Sequence, residues 1–567
     1  MATIQARKRG KCTYYYLVES RRVDGKPRPI VLQYLGTADG LAARLKQAEK
    51  ASLPLRAEVV DFGAVAALWD LALRMDLVSL IDRHLPKRRQ GATIGQYLTL
   101  AAINRCVATT SKARLAEWYG ATVVSRLCPV RINLLTGQRF WDAMDHVTPD
   151  AIREVEAKLS RRIVEDFELD LRTLCFDCTN FDTYIDSTNG AELPQRGHAK
   201  SKRMDLRVVG LALMVTVDGM IPLFSETYPG NQPDSVTFGA VTEELVARYR
   251  LLAQEAEHLT LVFDKGNNSK ENLAAFDGQT YHVIGSLVPM QHKDLLEIPL
   301  EKFSALDDPR LEGVAAYRTK KEVFGREWTI VVTRSESLLE GQLRGIAQHL
   351  GKRKKRFLEL RRKLKASQKP GAKGKGYTRQ SLLAHAKKLG QGEYLKDLLE
   401  IEVREEDGEL SIFFRQDPRV LNRLIRTILG KRILFTDNHD WSTGEIVLGY
   451  RSQHHVEAAF RQMKDRYYVS MEPIRHWTDH KIRVHAFICV LALTLASLLR
   501  RDLASQGIAL TVDALLDQLA GIQEVVNLYP AEGGKGGRPR ARRVLTGMTR
   551  LQQQLYRHLD LGRFHRE

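Results

Sequence analysis

The period of apolar residues changes several times along the chain, and each change predicts a different kind of element. Residues 13 to 35 alternate in YYYLVES and PIVLQYL, which predicts two strands joined through Asp24-Gly25, a dipeptide that favours a tight hairpin. From about residue 58 to residue 165 apolar positions recur at helical spacing, in VAALWDLALRMDLVSLIDRHL and again in IGQYLTLAAINRCV, with Thr109-Thr110-Ser111-Lys112 as a polar break. At residue 171 the period shortens. LRTLCFD, RVVGLALMVTV and MIPLFSETY read as strands, the last two joined through Asp218-Gly219. SVTFGAVTEELVARYRLLA then reads as a helix, and LTLVFD and YHVIGSL as two further strands. Three strands followed by helix, strand, helix and strand match the start of an RNase H-like fold, although an open α/β sheet of another kind gives a similar string.

Between about residues 300 and 430 this pattern is interrupted: YRTKKEVF and WTIVVTR predict strands, a long basic helix follows, and SIFFR predicts another strand. The tail carries a linker, GGKGGRPRARR, before an amphipathic helix from Leu545 to Leu559. The expected architecture is α/β, an RNase H-like catalytic core interrupted by a β-rich insertion domain and preceded by an all-helical region. Its parts are a basic N-terminal strand module (1–50), a helical region (51–168), the first part of the core (169–299), the insertion (300–430), the second part of the core (431–528), and a basic linker with a C-terminal helix (529–567).

Charge narrows the class of partner. The chain has 87 Lys and Arg against 68 Asp and Glu, a formal net charge of +19, which points to a polyanion such as nucleic acid rather than to a merely solvated basic surface. Between Lys352 and Gly376, 12 basic residues stand against one acid, and charge of a single sign favours phosphate contact over a solvated helix face. Gly537 to Arg540, Gly-Arg-Pro-Arg, has the look of a minor-groove hook, but a single short match is weak and a flexible linker is the better account. Six cysteines make no disulfide framework, which suits a reducing cytoplasm. Cys175 and Cys178 form a CxxC without a second ligand pair at zinc spacing, and read as strand-end cysteines. The N-terminus lacks the apolar stretch of a secretion signal. Val484 to Leu499 is shorter than the roughly 18 residues of a membrane span and carries His485, so it predicts a buried helix.

Two strands end in an aspartate after apolar residues, TLCFD at Asp177 and LVFD at Asp264, each followed by small polar residues. A carboxylate at the carboxyl end of a buried strand is held rigidly at a crevice where ligands bind. On the helix predicted for YRSQHHVEAAFRQMKDRYYV, Glu457, Arg461 and Lys464 share one face. Asp182, Asp186 and Asp205 fall in an expected loop and read as bystanders, and no histidine spacing suggests a ligand set.

DCTNF at 177–181, GHAKSKRMDLRVVGLALMVTVDGMIPLFSETYPGNQPD at 197–234, FDKGNNSKENL at 263–273 and the Tyr450 to Lys464 segment together resemble DDE-type transposases of bacterial insertion sequences. The resemblance is to the superfamily named after insertion sequence four, in its branch with an N-terminal strand pair, and it covers nearly the whole chain. Tyr450, Glu457 and Lys464 occupy the family's Tyr, Glu and Lys positions. Gln453 stands where the family has Arg and removes a cation expected to touch DNA near the cut, so either neighbouring Arg451 substitutes or end binding is weaker. The 193 positions from Asp264 to Glu457 (457 − 264) are accounted for by the β-rich insertion found in this superfamily.

The resemblance implies a catalytic triad of Asp177, Asp264 and Glu457 holding a pair of Mg²⁺ ions, with Mn²⁺ as a substitute, Asp177 bridging both ions and each other acid holding one. It implies double-stranded DNA as partner, both element ends and target, a homodimer on paired ends, and a bacterial cytoplasmic, nucleoid-associated location with no membrane. The expected reaction is hydrolytic cleavage at an element end followed by transfer of the 3′ end to target DNA. Alternatives are a metal-dependent nuclease without strand transfer and a non-catalytic DNA-binding protein derived from an element. Tyr450, Arg451, Arg461 and Lys464, with Lys352, Arg353, Lys354, Lys355 and Arg356, are expected to contact DNA. Trp328 is a candidate for stacking on an extruded base or, alternatively, a core residue.

Overall fold

The computed structural model describes residues 2–23, 26–86, 91–233, 241, 244, 247–248, 259–264, 272–273, 281–369, 376–530 and 539–566. The Asp24-Gly25 turn, most of the helix expected after residue 235, the Lys265 to Ser269 stretch, the Lys/Gly-rich loop at 370–375, and Gly537 with Arg538 lie outside those residues.

Strands β1 (Ala2–Arg9), β2 (Cys12–Val23) and β3 (Lys26–Thr37) form an antiparallel sheet, one strand more than the alternation predicts. They lead through α1 (Ala38–Ser52) to β4 (Arg56–Asp61). Helices α2 (Gly63–Arg74), α3 (Leu77–Arg83) and α4 (Ile94–Val107) follow the apolar spacing, and α4 starts on a Thr93/Gln96 capping box. After α5 (Leu115–Gly120), α6 (Val124–Leu127) and α7 (Gly137–Met144), α8 (Pro149–Asp166) opens with Thr148 as cap and proline in its first turn.

Next come β5 (Thr173–Thr183), β6 (Arg207–Thr216), β7 (Pro222–Pro229), β8 (Thr260–Val262) and β9 (His282–Leu287). Beyond α9 (Lys293–Leu296) lie β10 (Ser304–Ala305), β11 (Val314–Val323), β12 (Arg326–Ser335), α10 (Glu336–Ser367), α11 (Arg379–Gly390), α12 (Leu395–Leu398), β13 (Leu399–Glu406), β14 (Glu409–Gln416) and α13 (Pro418–Thr427). The chain closes with β15 (Lys431–Thr436), α14 (Thr443–Arg451), α15 (His454–Met463), α16 (Asp479–Ser505), α17 (Val512–Ala520), β16 (Gln523–Tyr529), β17 (Arg540–Leu545) and α18 (Arg550–His558).

These elements gather into two compact units, one of residues 1–78, 87–143 and 502–567, the other of 79–86 and 144–501. The first joins the two ends of the chain. β4 pairs with β16, which pairs with β17, so RARRVL is a strand and not a linker, and the last helix begins at Arg550 rather than Leu545.

The second unit is built on a nine-stranded sheet in the order β10-β11-β12-β15-β9-β8-β5-β6-β7. β6 runs antiparallel to β5 and β7 antiparallel to β6, whereas β8 is parallel to β5 and β9 parallel to β8. The remaining four strands continue the sheet antiparallel beyond β9. Thus the expected insertion is not a separate β-rich body. Its first strands extend the central sheet, because β12 is buried at every residue from Trp328 to Thr333 and needs cover on both faces. Residues 336–430 are mainly helical with one hairpin, β13-β14, whose Val403 and Ile412 pack on Phe357, Leu360 and Leu364 of α10. That packing turns the other side of α10, with Lys352, Lys354, Lys355 and Arg356, to solvent.

Helix α16 is long and apolar enough by length and composition to cross a membrane, and 94% of its most apolar window is buried inside the protein. Within it, His485 is fully buried and hydrogen-bonds the Met471 carbonyl at 2.9 Å.

Candidate active site

The parallel ladder between β5 and β8 matches Thr173 with Thr260, Leu174 with Leu261 and Cys175 with Val262. Continuing that register sets Asp177 level with Asp264 on the neighbouring strand, at the ~4.8 Å spacing of paired strands. The strand-end reading needs one correction. β5 does not stop at Asp177 but runs on to Thr183, paired with β6 throughout. What stops is β8, after Val262. Asp177 therefore stands where β5 loses a neighbour, and Asp264 just past the end of that neighbour.

Alternation along β5 sends Cys175, Asp177, Thr179 and Phe181 to one face. Two consecutive helices lie on that face, α14 over β9, β15 and β12, and α15 over β5 and β6. Gly449 helps α14 approach, since a Cβ there would come within 2.8 Å of Ile284 in β9. The next residue, Tyr450, is only 6% exposed, and its hydroxyl hydrogen-bonds Asp264 Oδ1 at 3.2 Å and Ser286 Oγ at 2.9 Å. Burial, reinforced by the Asp264 carboxylate, pushes the phenol up to about 12, so it stays protonated and can donate. The expectation of a phosphate contact for Tyr450 is corrected. Its hydroxyl is turned inward and orients Asp264.

Gln453 is likewise buried, and its Nε2 donates to the Phe176 carbonyl at 3.1 Å, one residue before Asp177. It is a tie between α15 and β5 and not a DNA position that has lost its cation. Cys175 Sγ lies 3.1 Å from the Ser452 carbonyl, a second tie at the same level. At the other end of α15, Lys464 Nζ donates to Thr179 Oγ1 at 2.9 Å and sits 5.1 Å from the centre of the Phe181 ring. Burial lowers its pKa while the Glu472 carboxylate opposes the shift. Lys464 is thus turned onto β5 rather than out toward a phosphate, a second correction.

Glu457 lies between these anchors on α15, with its side chain exposed. Among the described residues no group of three or more His, Cys, Asp or Glu side chains is gathered closely enough to hold a metal ion. The structure thus aligns Asp177 with Asp264 by register, and Glu457 stands exposed on the helix that Gln453 and Lys464 tie to β5. The donor chemistry of the two aspartates, hard carboxylate oxygens, fits an ion of the Mg²⁺ type.

The remaining candidates divide. Trp328 is a core residue: it is 1% exposed, donates Nε1 to the Val323 carbonyl at 3.0 Å and packs edge-on to Phe435 at 5.0 Å between ring centres. By alternation it lies on the reverse face of the sheet from Asp264, so base stacking is excluded. Arg451 and Arg461 are exposed, and Arg451 donates to the Arg310 carbonyl at 2.9 Å. Arg353 is half-buried and donates to the Gln391 carbonyl at 2.8 Å, unlike its exposed neighbours. Asp182 is not in a loop but on β5, where Ser201 Oγ hydrogen-bonds it at 2.9 Å. Asp186 accepts from Thr188, and Asp205 pairs with Arg203 at 2.6 Å.

Three nearby groups escape a reading of the sequence. Ser286 receives Tyr450, Lys200 donates Nζ to the Cys178 carbonyl at 2.6 Å, and Glu472 accepts from the Asp182 amide at 3.0 Å. Burial raises the Glu472 pKa. Lys200 falls within the GHAKSKRMDL motif and was available as a signal. Ser286 and Glu472 sit in no motif.

Residues 2–57, which span β1 to β3, α1 and the start of β4, match a family model described as IS1634 family transposase, N-terminal domain. Among solved structures the chain is similar to a piggyBac transposase in a synaptic complex with hairpin DNA, at 8% identity with 82% of each chain covered and a TM-score of 0.35, a likeness too slight to establish a shared fold. No curated protein matches.

Proposed function

We propose, on the premise that residues 2–57 carry an N-terminal domain of the IS1634 transposase kind, that the chain is an insertion-sequence transposase whose second unit cuts DNA at element ends and joins the 3′ end to target DNA. The observation that carries this reading is the register that sets Asp177 and Asp264 side by side where β8 ends. The order β7-β6-β5-β8-β9, with β6 alone antiparallel to both its neighbours and β8 and β9 parallel to β5, supports reading the core as RNase H-like.

Asp177 and Asp264 would hold Mg²⁺, with Glu457 turning in from α15 as the third carboxylate. Bound there, the metal supplies activation of an attacking water or 3′-hydroxyl and stabilisation of the leaving oxygen. The chain's own residues do the rest. Tyr450 fixes the Asp264 carboxylate, and Gln453 and Lys464 clamp α15 along β5 so that Glu457 is carried beside Asp177. The exposed cations of α10, Lys352, Lys354, Lys355 and Arg356, offer a backbone-binding stripe whose affinity falls with salt. Binding to paired ends as a dimer completes the proposal.

Asp177→Asn and Asp264→Asn should each abolish cleavage of a duplex carrying the element end while leaving its binding within about twofold, since binding rests on phosphate contacts. Cleavage by either variant at the parental rate would sink the assignment. A pre-cut 3′ end offered to wild type with target DNA separates joining from simple nuclease action.

A further inference from the structure

On the face that carries Asp264, beyond the carboxyl end of β9, lies a cavity of about 280 Å³. Thr333 of β12, Ser335 and Ser337 at the start of α10, Arg432 of β15 and Arg451 of α14 contribute its polar lining, and the Tyr450 ring forms one wall. Arg432 and Thr333 are direct cross-strand partners, so both side chains leave the sheet on this face. The Arg432 guanidinium carbon lies 5.2 Å from the centre of the Tyr450 ring. Neither Arg432 nor Arg451 has an ion-pair partner among the described residues, and no acid lines the cavity.

We infer that this cavity is a phosphate subsite, and that on the reading of the chain as a transposase it takes one backbone phosphate of the strand being processed. Two guanidiniums without carboxylate partners and three hydroxyls favour an oxyanion, beside the N-terminal end of α10, whose first turn carries Glu336. The volume sits just under the roughly 300 Å³ at which small-ligand pockets begin, enough for a phosphate with its sugar. The register gives the subsite its place. Asp264 is level with Ser286, which pairs with Leu434, and Arg432 is two residues farther along β15. Two strand spacings and two residue rises make roughly 12 Å between Asp264 and Arg432 at the backbone. The phosphate held there is therefore a neighbour of the scissile one. Tyr450 is the shared wall, with its ring against Arg432 and its hydroxyl on Asp264.

The test uses the full chain, a labelled duplex oligonucleotide and, separately, inorganic pyrophosphate. Arg432→Ala should weaken duplex binding about fivefold and lower the slope of log K against log salt by about one, and Arg432→Lys should restore most of both. Pyrophosphate should raise the melting temperature of wild type and not that of Arg432→Ala. Unchanged affinity, slope and pyrophosphate response in a normally melting Arg432→Ala overturns the subsite. Should wild type cut no duplex while these Arg432 effects persist, the subsite stands as an anion site and the transposase reading fails instead. A response to pyrophosphate without any effect on the duplex overturns the assignment to nucleic acid.

Discussion

A buried primary amide with one hydrogen bond to a main-chain carbonyl has little tolerance for charge, and Gln453 is in that position, its Oε1 without a partner among the described residues. Gln453→Leu should forfeit the bond to Phe176 at a cost of about 1 kcal/mol. Gln453→Arg should cost more, about 2–5 kcal/mol, by burying a cation with no matched partner. Urea unfolding midpoints measure both, and a stable Gln453→Arg with tighter DNA binding would return this residue to the DNA surface. Tyr450→Phe should lower cleavage sharply while costing only about 1 kcal/mol of stability, because it removes the hydroxyl that orients Asp264 and little packing. Equal cleavage by the phenylalanine variant would show that Asp264 needs no such support. The two aspartates were legible from their local pattern, but the inward direction of Tyr450, Gln453 and Lys464 was not. A helix motif specifies which residues share a face, and only the neighbouring strand decides which face is covered.

Among the elements, β9 works as the spine between the parallel strands and the antiparallel extension. Its Gly285 leaves room for aromatic rings: a Cβ there would lie 2.6 Å from Phe435 and 3.1 Å from Phe263. Gly285→Ala should therefore destabilise the second unit by about 1–3 kcal/mol through overpacking, with partial recovery in combination with Phe435→Leu. Thermal melts of the single and double variants test this, and independent, additive losses would count against direct ring displacement. Strand periods predicted β6, β7, β9 and the first half of β5 well, since alternation and apolar runs are local. That β10 to β12 would join the same sheet was not legible, because WTIVVTR reads as a buried strand whichever sheet receives it.

At the scale of the whole molecule, an ion-pair cluster braces the second unit. Arg248 contacts Glu156 at 3.2 Å, Glu226 at 2.9 Å and Glu244 at 2.5 Å, and Glu156 also hydrogen-bonds Ser225. Burial pushes Glu156 up from its ordinary 4.5 to about 7, against the pull of Arg248. A carboxyl whose folded pKa lies above its unfolded value binds the extra proton in the folded state, so this group's stabilising contribution is full below about 4.5 and is lost as pH rises toward about 7. Unfolding midpoints measured across that window should show the decline in wild type and a flatter profile in Glu156→Gln, and parallel profiles would remove Glu156 as the cause. By itself the sequence determined the local periods, the order of the elements from α8 to β9, the basic stretch of α10 and the two aspartates after apolar runs, because each depends on residues within one element. The tertiary structure alone decided that β8 ends beside Asp177, that Tyr450 turns to Asp264 from 186 positions away, and that Arg432 meets Arg451 around one cavity. Those outcomes follow from strand register and helix docking, where the partner of each side chain lies far off in the chain and no local pattern encodes it.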